Sequence, residues 1–405
     1  MRSLRTNLLN PISSQKTDLL PDHVITWDNG IITSVEPYNP ALHRDCEDHR
    51  NAICSPGFID IHVHLSQFRI RGNYRPALLP WLQEVVFPEE ARSSDFSYAR
   101  QLAQDFFSAL LKAGTTTAVI YTAPFRKATE IAFEIAHRLG FRALIGMTLM
   151  DRNSPSDLLQ STAGAYETSL DLFDTWHGKS PLLDYIFTPR FAPTCSPELM
   201  RLIGDFASSR SAWIQTHLAE NPDELRWVRE IFGLESYTAV YEKFGLLGPH
   251  SILAHAIHLS DDEIRLMADS DSRIAHCPDS NFYLKSGEFP LSRLKAAGLK
   301  IALGSDVGAG SSLSMPHHAQ MMNYRQSLEP VLPEEAFYNM TLGAARALDL
   351  GSVTGSLQPG KSADLILLKS PDHSPIDEHS LSRLVFYGSE YTVSETVIAG
   401  KSVKN

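Results

Sequence analysis

Short apolar runs recur through the middle of the chain, each closed by a polar or glycine-containing turn. The first is Phe58-Ile59-Asp60-Ile61-His62-Val63-His64-Leu65. After it come Thr115–Tyr121, Arg142–Met147, Leu183–Thr188, Ala212–His217, Ser251–His255, Ser272–Cys277 and Lys300–Asp306. Runs of this length and apolarity predict buried strands. Helical patterns fall between them, such as Ser97–Lys112, closed by Ala113-Gly114, and Ala128–Leu139, closed by Gly140. Eight β units over roughly 250 residues match the size of a (β/α)8, TIM-like barrel, an α/β fold. An open doubly wound sheet is the alternative. It wants a glycine-rich phosphate turn after its first strand, and histidines stand there instead.

The two ends of the chain read differently. His23–Trp27, the turn Asp28-Asn29-Gly30 and Ile31–Val35 form a hairpin pattern. Ala363–Leu368 and Glu395–Lys401, the latter with a turn at Ala399-Gly400, are strand-like. These segments predict a small β-sandwich domain built from residues 1–54 and 350–405, flanking a barrel over 55–349.

Composition narrows the choice of partners. The 405 residues are 43% hydrophobic and carry a net charge of −11 at pH 7, without the basic, aromatic-interleaved runs of a nucleic-acid surface. No apolar stretch has the length of a membrane span, and no secretory leader pattern opens the chain. Cys46, Cys54, Cys195 and Cys277 are scattered without a CxxC pair, as in a reducing compartment. The expectation is a cytoplasmic protein acting on a small molecule.

Candidate chemistry gathers at the strand ends. His62 and His64 are two residues apart, so on a strand they share a face. Alone, such a pair more often fills structural polar sites than binds metal. Further candidates arrive at matching positions: His217 ends the fifth run, His255 the sixth and Asp306 the eighth. Barrel enzymes collect their functional groups at these C-terminal strand ends. Imidazoles with a carboxylate suit one divalent cation, zinc above all, with Fe2+ drawing on the same donor types. Such an ion lowers the pKa of its water. Glu220, three residues beyond His217, is then placed to move protons.

The chain resembles the amidohydrolase superfamily, and more closely the guanine deaminases, over nearly its whole length. The resemblance rests on PGFIDIHVHLSQF (56–68), LLPWLQEVVFP (78–88), AGTTTA (113–118), TPRFAPTCSPELM (188–200), THLAEN (216–221), AHAIHLS (254–260), IAHCPDSN (274–281), LGSDVGAGSS (303–312), SADLILLK (362–369) and SPID (374–377). HxH, HxxE and the late Asp belong to the whole superfamily, whereas SQF and TPRF are narrower and point to guanine. Pro80 departs from the acidic residue usual before the Trp, and Phe68–Pro76 and Tyr121–Phe125 match poorly.

This resemblance implies hydrolytic deamination of guanine to xanthine and ammonia by a metal-activated hydroxide. His62, His64, His217 and Asp306 would hold the metal. Glu220, His255 and Asp306 would be catalytic, with His255 beside the water as hydrogen-bond partner or longer ligand. Gln67, Trp81, Arg190 and Phe191 would bind the base, the arginine fork matching its carbonyl and imidazole-nitrogen edge. Binuclear relatives carry a carboxylated lysine at the end of the fourth strand. Arg190 lies there instead, which implies a single ion. The resemblance also implies a homodimer. The rival readings are a deaminase of 8-oxoguanine, a pterin or an s-triazine, and a non-catalytic scaffold of the same fold.

Overall fold

A computed structural model describes residues 1–403. Eight strands form one sheet in sequential order: Phe58–His64, Thr115–Thr122, Arg142–Leu149, Leu183–Pro189, Trp213–Leu218, Ser251–His255, Arg273–His276 and Lys300–Leu303. Every neighbouring pair is parallel. Every residue of the first three is buried, which is why their apolarity is continuous rather than alternating. The sheet closes on itself through main-chain bonds between the first strand and the segment after the eighth. His64 N–H donates to the Val307 carbonyl and Asp306 N–H to that of His62, each at 2.8 Å. The fold is a barrel, and the open-sheet alternative falls.

Helices coat the outside. Asp95 caps the Phe96–Lys112 helix by accepting from the amides of Ser97 and Tyr98. The Arg126–Leu139 helix ends at Gly140, whose φ of 65° is the left-handed conformation that releases a chain from a helix. Phe106, Phe107, Ile131 and Phe133 from these helices are buried against the barrel, each contributing about 1.5–3 kcal/mol of burial.

The terminal segments form a seven-stranded sheet in the order 401–403, 392–398, 365–369, 47–56, 2–13, 16–28 and 31–37. The expected sandwich takes the form of this one sheet folded over. The edge strand Ile31–Pro37 returns to the 360–362 segment, where Ile32 and Lys361 share a 2.8 Å main-chain bond. Trp27 Nε1 reaches the Gly400 carbonyl at the opposite edge. Its Asn29-Gly30 turn has φ of 48° and 85°, the pair of positive angles that a tight hairpin needs. The Arg2–Ser13 strand, silent in the hydrophobic pattern, pairs antiparallel with Lys16–Asp28 and parallel with Glu47–Pro56. A buried ion pair at 2.9 Å between Arg142 and Asp364 ties this sheet to the third barrel strand. All four cysteines are free. Among the described residues no helix is long and apolar enough to cross a membrane.

Candidate active site

The first strand ends by turning His62 and His64 into the mouth of the barrel. Asp306 comes to meet them from beyond the eighth strand. That strand stops at Leu303, so the expected extension to Asp306 is a tight turn, with Asp306 at φ 48°. Oδ1 of Asp306 stands 3.2 Å from His62 Nε2 and 3.1 Å from His64 Nε2. His217, on the fifth strand, places its Nε2 3.3 Å from that of His64. One donor atom from each of these four side chains lies within 4.8 Å of the others.

The donor set fits a cation. Both ring nitrogens of His62, Nδ1 of His64 and Nε2 of His255 are buried without a hydrogen-bond partner, a condition that calls for an explanation. His217 Nδ1 donates to the Arg190 carbonyl at 2.6 Å, which leaves its Nε2 unprotonated and available as a ligand. Burial holds His62, His64 and His217 below the usual imidazole range, His64 down to about 4, so each offers a lone pair at neutral pH. Burial alone would raise Asp306. Its contacts with His62 and His64 outweigh that and hold it well below the carboxylate range. His255, Cys277 and Asp306 also converge, but burial pushes the Cys277 thiol up and keeps it protonated, a poor ligand.

A pocket opens beside this cluster, lined by Gln67, Trp81, Arg190, Phe191, Glu220 and His255 among others. The structure thus brings together every residue singled out from the sequence. Glu220 sits with one oxygen 3.1 Å from the Ser286 hydroxyl and the other 3.6 Å from His255 Nε2. Burial, reinforced by the charge of Asp306, pushes its carboxyl up to about 8 against the opposing pull of Ser286 and Arg190. His255 is oriented from behind by Asn281, whose Oδ1 is 2.9 Å from Nδ1. Glu224 accepts from the amides of Glu220 and Asn221 at 2.9 and 3.2 Å, fixing the turn that carries Glu220. Trp81 and Phe191 supply apolar wall, the Trp81 Nε1 being anchored on the Asn73 carbonyl at 3.0 Å.

The hydrophobic pattern gave no hint of Glu90. Its buried carboxylate accepts from Arg190 Nη1 at 2.7 Å, Gln67 Nε2 at 3.0 Å and Ser66 Oγ at 3.2 Å. It lies in a Glu89-Glu90 pair on the Phe87–Ala91 helix, a pattern that ordinarily marks a solvated face. Asn281, Ser286 and Glu224 likewise carry no sequence signal of their own, because only the fold brings them to the site.

The sequence profile of the amidohydrolase family matches residues 53–403. The chain belongs to the amidohydrolase family. Within it, a guanine deaminase of Escherichia coli (strain K12) is 37% identical over 340 residues, 82% of this chain and 76% of that one. The structure of E. coli guanine deaminase superposes over the full length of both chains with a TM-score of 0.95 at 30% identity. That of guanine deaminase from C. acetobutylicum, solved with guanine in its active site, does so with a TM-score of 0.93 at 29% identity. This family member therefore shares the architecture of those enzymes from end to end.

Proposed function

We infer that this protein hydrolytically deaminates guanine to xanthine and ammonia. The observation that carries the reading is one pocket with an arginine fork in its wall and the buried Glu220 carboxyl beside a cation-binding cluster. His62, His64, His217 and Asp306 would hold a single ion, with zinc best suited to three imidazoles and a carboxylate. Bound there, the ion lowers the pKa of water and so supplies a nucleophile near neutral pH.

The remaining work falls to this chain's side chains. Glu220 takes a proton from the attacking water and delivers it to the ring nitrogen beside the amine-bearing carbon; the remaining proton of the added hydroxyl then passes to the exocyclic amine, the carbon–amine bond breaks as the new carbonyl forms, and ammonia leaves. Its raised pKa suits it to holding that proton. His255, held by Asn281, orients the water. Arg190 spends only Nη1 on Glu90 among the described residues, which leaves Nε and Nη2 for the acceptor edge of the base. Gln67, Phe191 and Trp81 line the same pocket, where the amide would meet the edge of the ring and the aromatic side chains its faces.

Residues 55–349 are the catalytic unit in this reading, with 1–54 and 350–405 as the β unit, of which 404–405 lie outside the described residues. Four free cysteines support a cytoplasmic setting. A homodimer, the assembly that the family resemblance implies, is checked by sedimentation. The function is tested by ammonia release from guanine, 8-oxoguanine, a pterin and an s-triazine. Guanine should give the highest kcat/KM. Turnover of another ring with guanine inert would overturn the reading.

A further inference from the structure

We propose that Glu90 is a positioning residue that fixes which way the Gln67 amide points, and thereby makes the pocket select a lactam edge over an amidine edge. This rests on the guanine reading of the same pocket.

A carboxylate only accepts hydrogen bonds. Glu90 is fully buried, and its Oε1 lies 3.0 Å from Gln67 Nε2. Turning the Gln67 amide over would set two acceptor oxygens against each other at that distance, without water to relieve them. Gln67 Oε1 is therefore held away from Glu90, where it accepts from the Gly308 amide at 3.4 Å. The other Glu90 oxygen takes Arg190 Nη1 at 2.7 Å and fixes the guanidinium. Ser66 Oγ, at 3.2 Å from Oε1, holds Glu90 itself in place. One carboxylate thus sets donors (Arg190 Nε and Nη2) and an acceptor (Gln67 Oε1) around one pocket. A lactam edge, C=O next to N–H, answers that arrangement. An amidine edge, C–NH2 next to a bare ring nitrogen, presents a donor to a donor and an acceptor to an acceptor. A glutamine at position 90 would accept or donate, and Gln67 could then sit either way.

The test compares guanine with 2,6-diaminopurine, which keeps the amine at the reacting carbon and replaces the lactam by an amidine. Wild-type protein should prefer guanine, and Glu90→Gln should narrow the ratio of kcat/KM values by about tenfold or more. The loss should come mainly from the KM for guanine, with metal content unchanged. A purely structural role would depress both substrates alike and leave the ratio intact. Gln67→Leu, which spares the Glu90–Arg190 pair, should narrow the ratio as well and covers the case in which Glu90→Gln does not fold. An unchanged ratio in Gln67→Leu, with wild type active on guanine, overturns the inference alone. Wild type inert on guanine overturns the functional reading and this inference with it.

Discussion

The main-chain oxygen of Arg190 lies 2.6 Å from Nδ1 of His217. A residue of the base pocket thus also orients a ligand of the cation cluster, through different atoms. The two roles separate by mutation. Arg190→Lys keeps the carbonyl and a cation for Glu90 but loses the planar fork, so the KM for guanine should rise about 10- to 100-fold. Metal content should stay at the wild-type level. An Arg190→Lys protein that purifies without metal would contradict the division.

Glu220→Gln should keep the cation cluster whole, since Glu220 approaches it only through His255, at 3.6 Å. Loss of the proton carrier should cut kcat by about 10²- to 10⁴-fold. Steady-state kinetics with parallel metal analysis checks both statements, and near-normal turnover would refute the assigned role.

Burial also writes a pH dependence into the metal-free protein. His62, His64 and His217 are held neutral in the fold, while the unfolded chain protonates its histidines below about 6.5. They therefore add stability as pH rises to that point, and nothing beyond it. Burial raises Asp60 and Glu224 to about 7 and Glu220 to about 8, from ordinary values near 4. The fold keeps protons there that the unfolded chain has released, so this stabilisation is lost as pH climbs through those values. Above pH 7 Glu220 is the last of them still titrating. The Tm of metal-free protein should fall between pH 7 and 8, each unit of displacement being worth about 1.4 kcal/mol. Glu220→Gln should flatten that fall, and a Tm that rises over the interval would contradict the assignment.

Gly304 lies where the eighth strand meets the first. A Cβ there would stand 2.7 Å from His62 Cβ and 3.2 Å from Cys277 Sγ. Gly304→Ala must push these strands apart, and with them Asp306 from His62. Metal affinity should drop about 10- to 100-fold, the scale of losing a group that supports the ligands, while the circular dichroism of the barrel persists. Unaltered affinity would mean that the barrel seam yields without moving the ligands.

Much of this molecule is legible in its sequence, for a definite physical reason. Strands buried on both faces must be apolar throughout, so Phe58–His64 and its seven successors announce themselves, and polar side chains at their ends stand out. Arg2–Ser13 does not, because its polar residues face other strands and loops: Asn7 donates to the Arg50 carbonyl, and Asn10 accepts from the Leu357 amide. Glu90 was illegible for the opposite reason. A glutamate on a short helix looks solvated until Arg190, 100 residues away in the chain, closes over it. Asp306 meets the histidines as the strand-end pattern predicts, but from a turn that begins only after Leu303 and not from the strand itself.

One experiment bears on the central claim more directly than any variant: metal content measured alongside guanine loss by ultraviolet absorbance, before chelation, after it, and after adding zinc back. About one ion per chain, turnover abolished by the chelator and restored by zinc is the predicted result. Full turnover in metal-free protein, or metal-loaded protein that leaves guanine untouched, would contradict it.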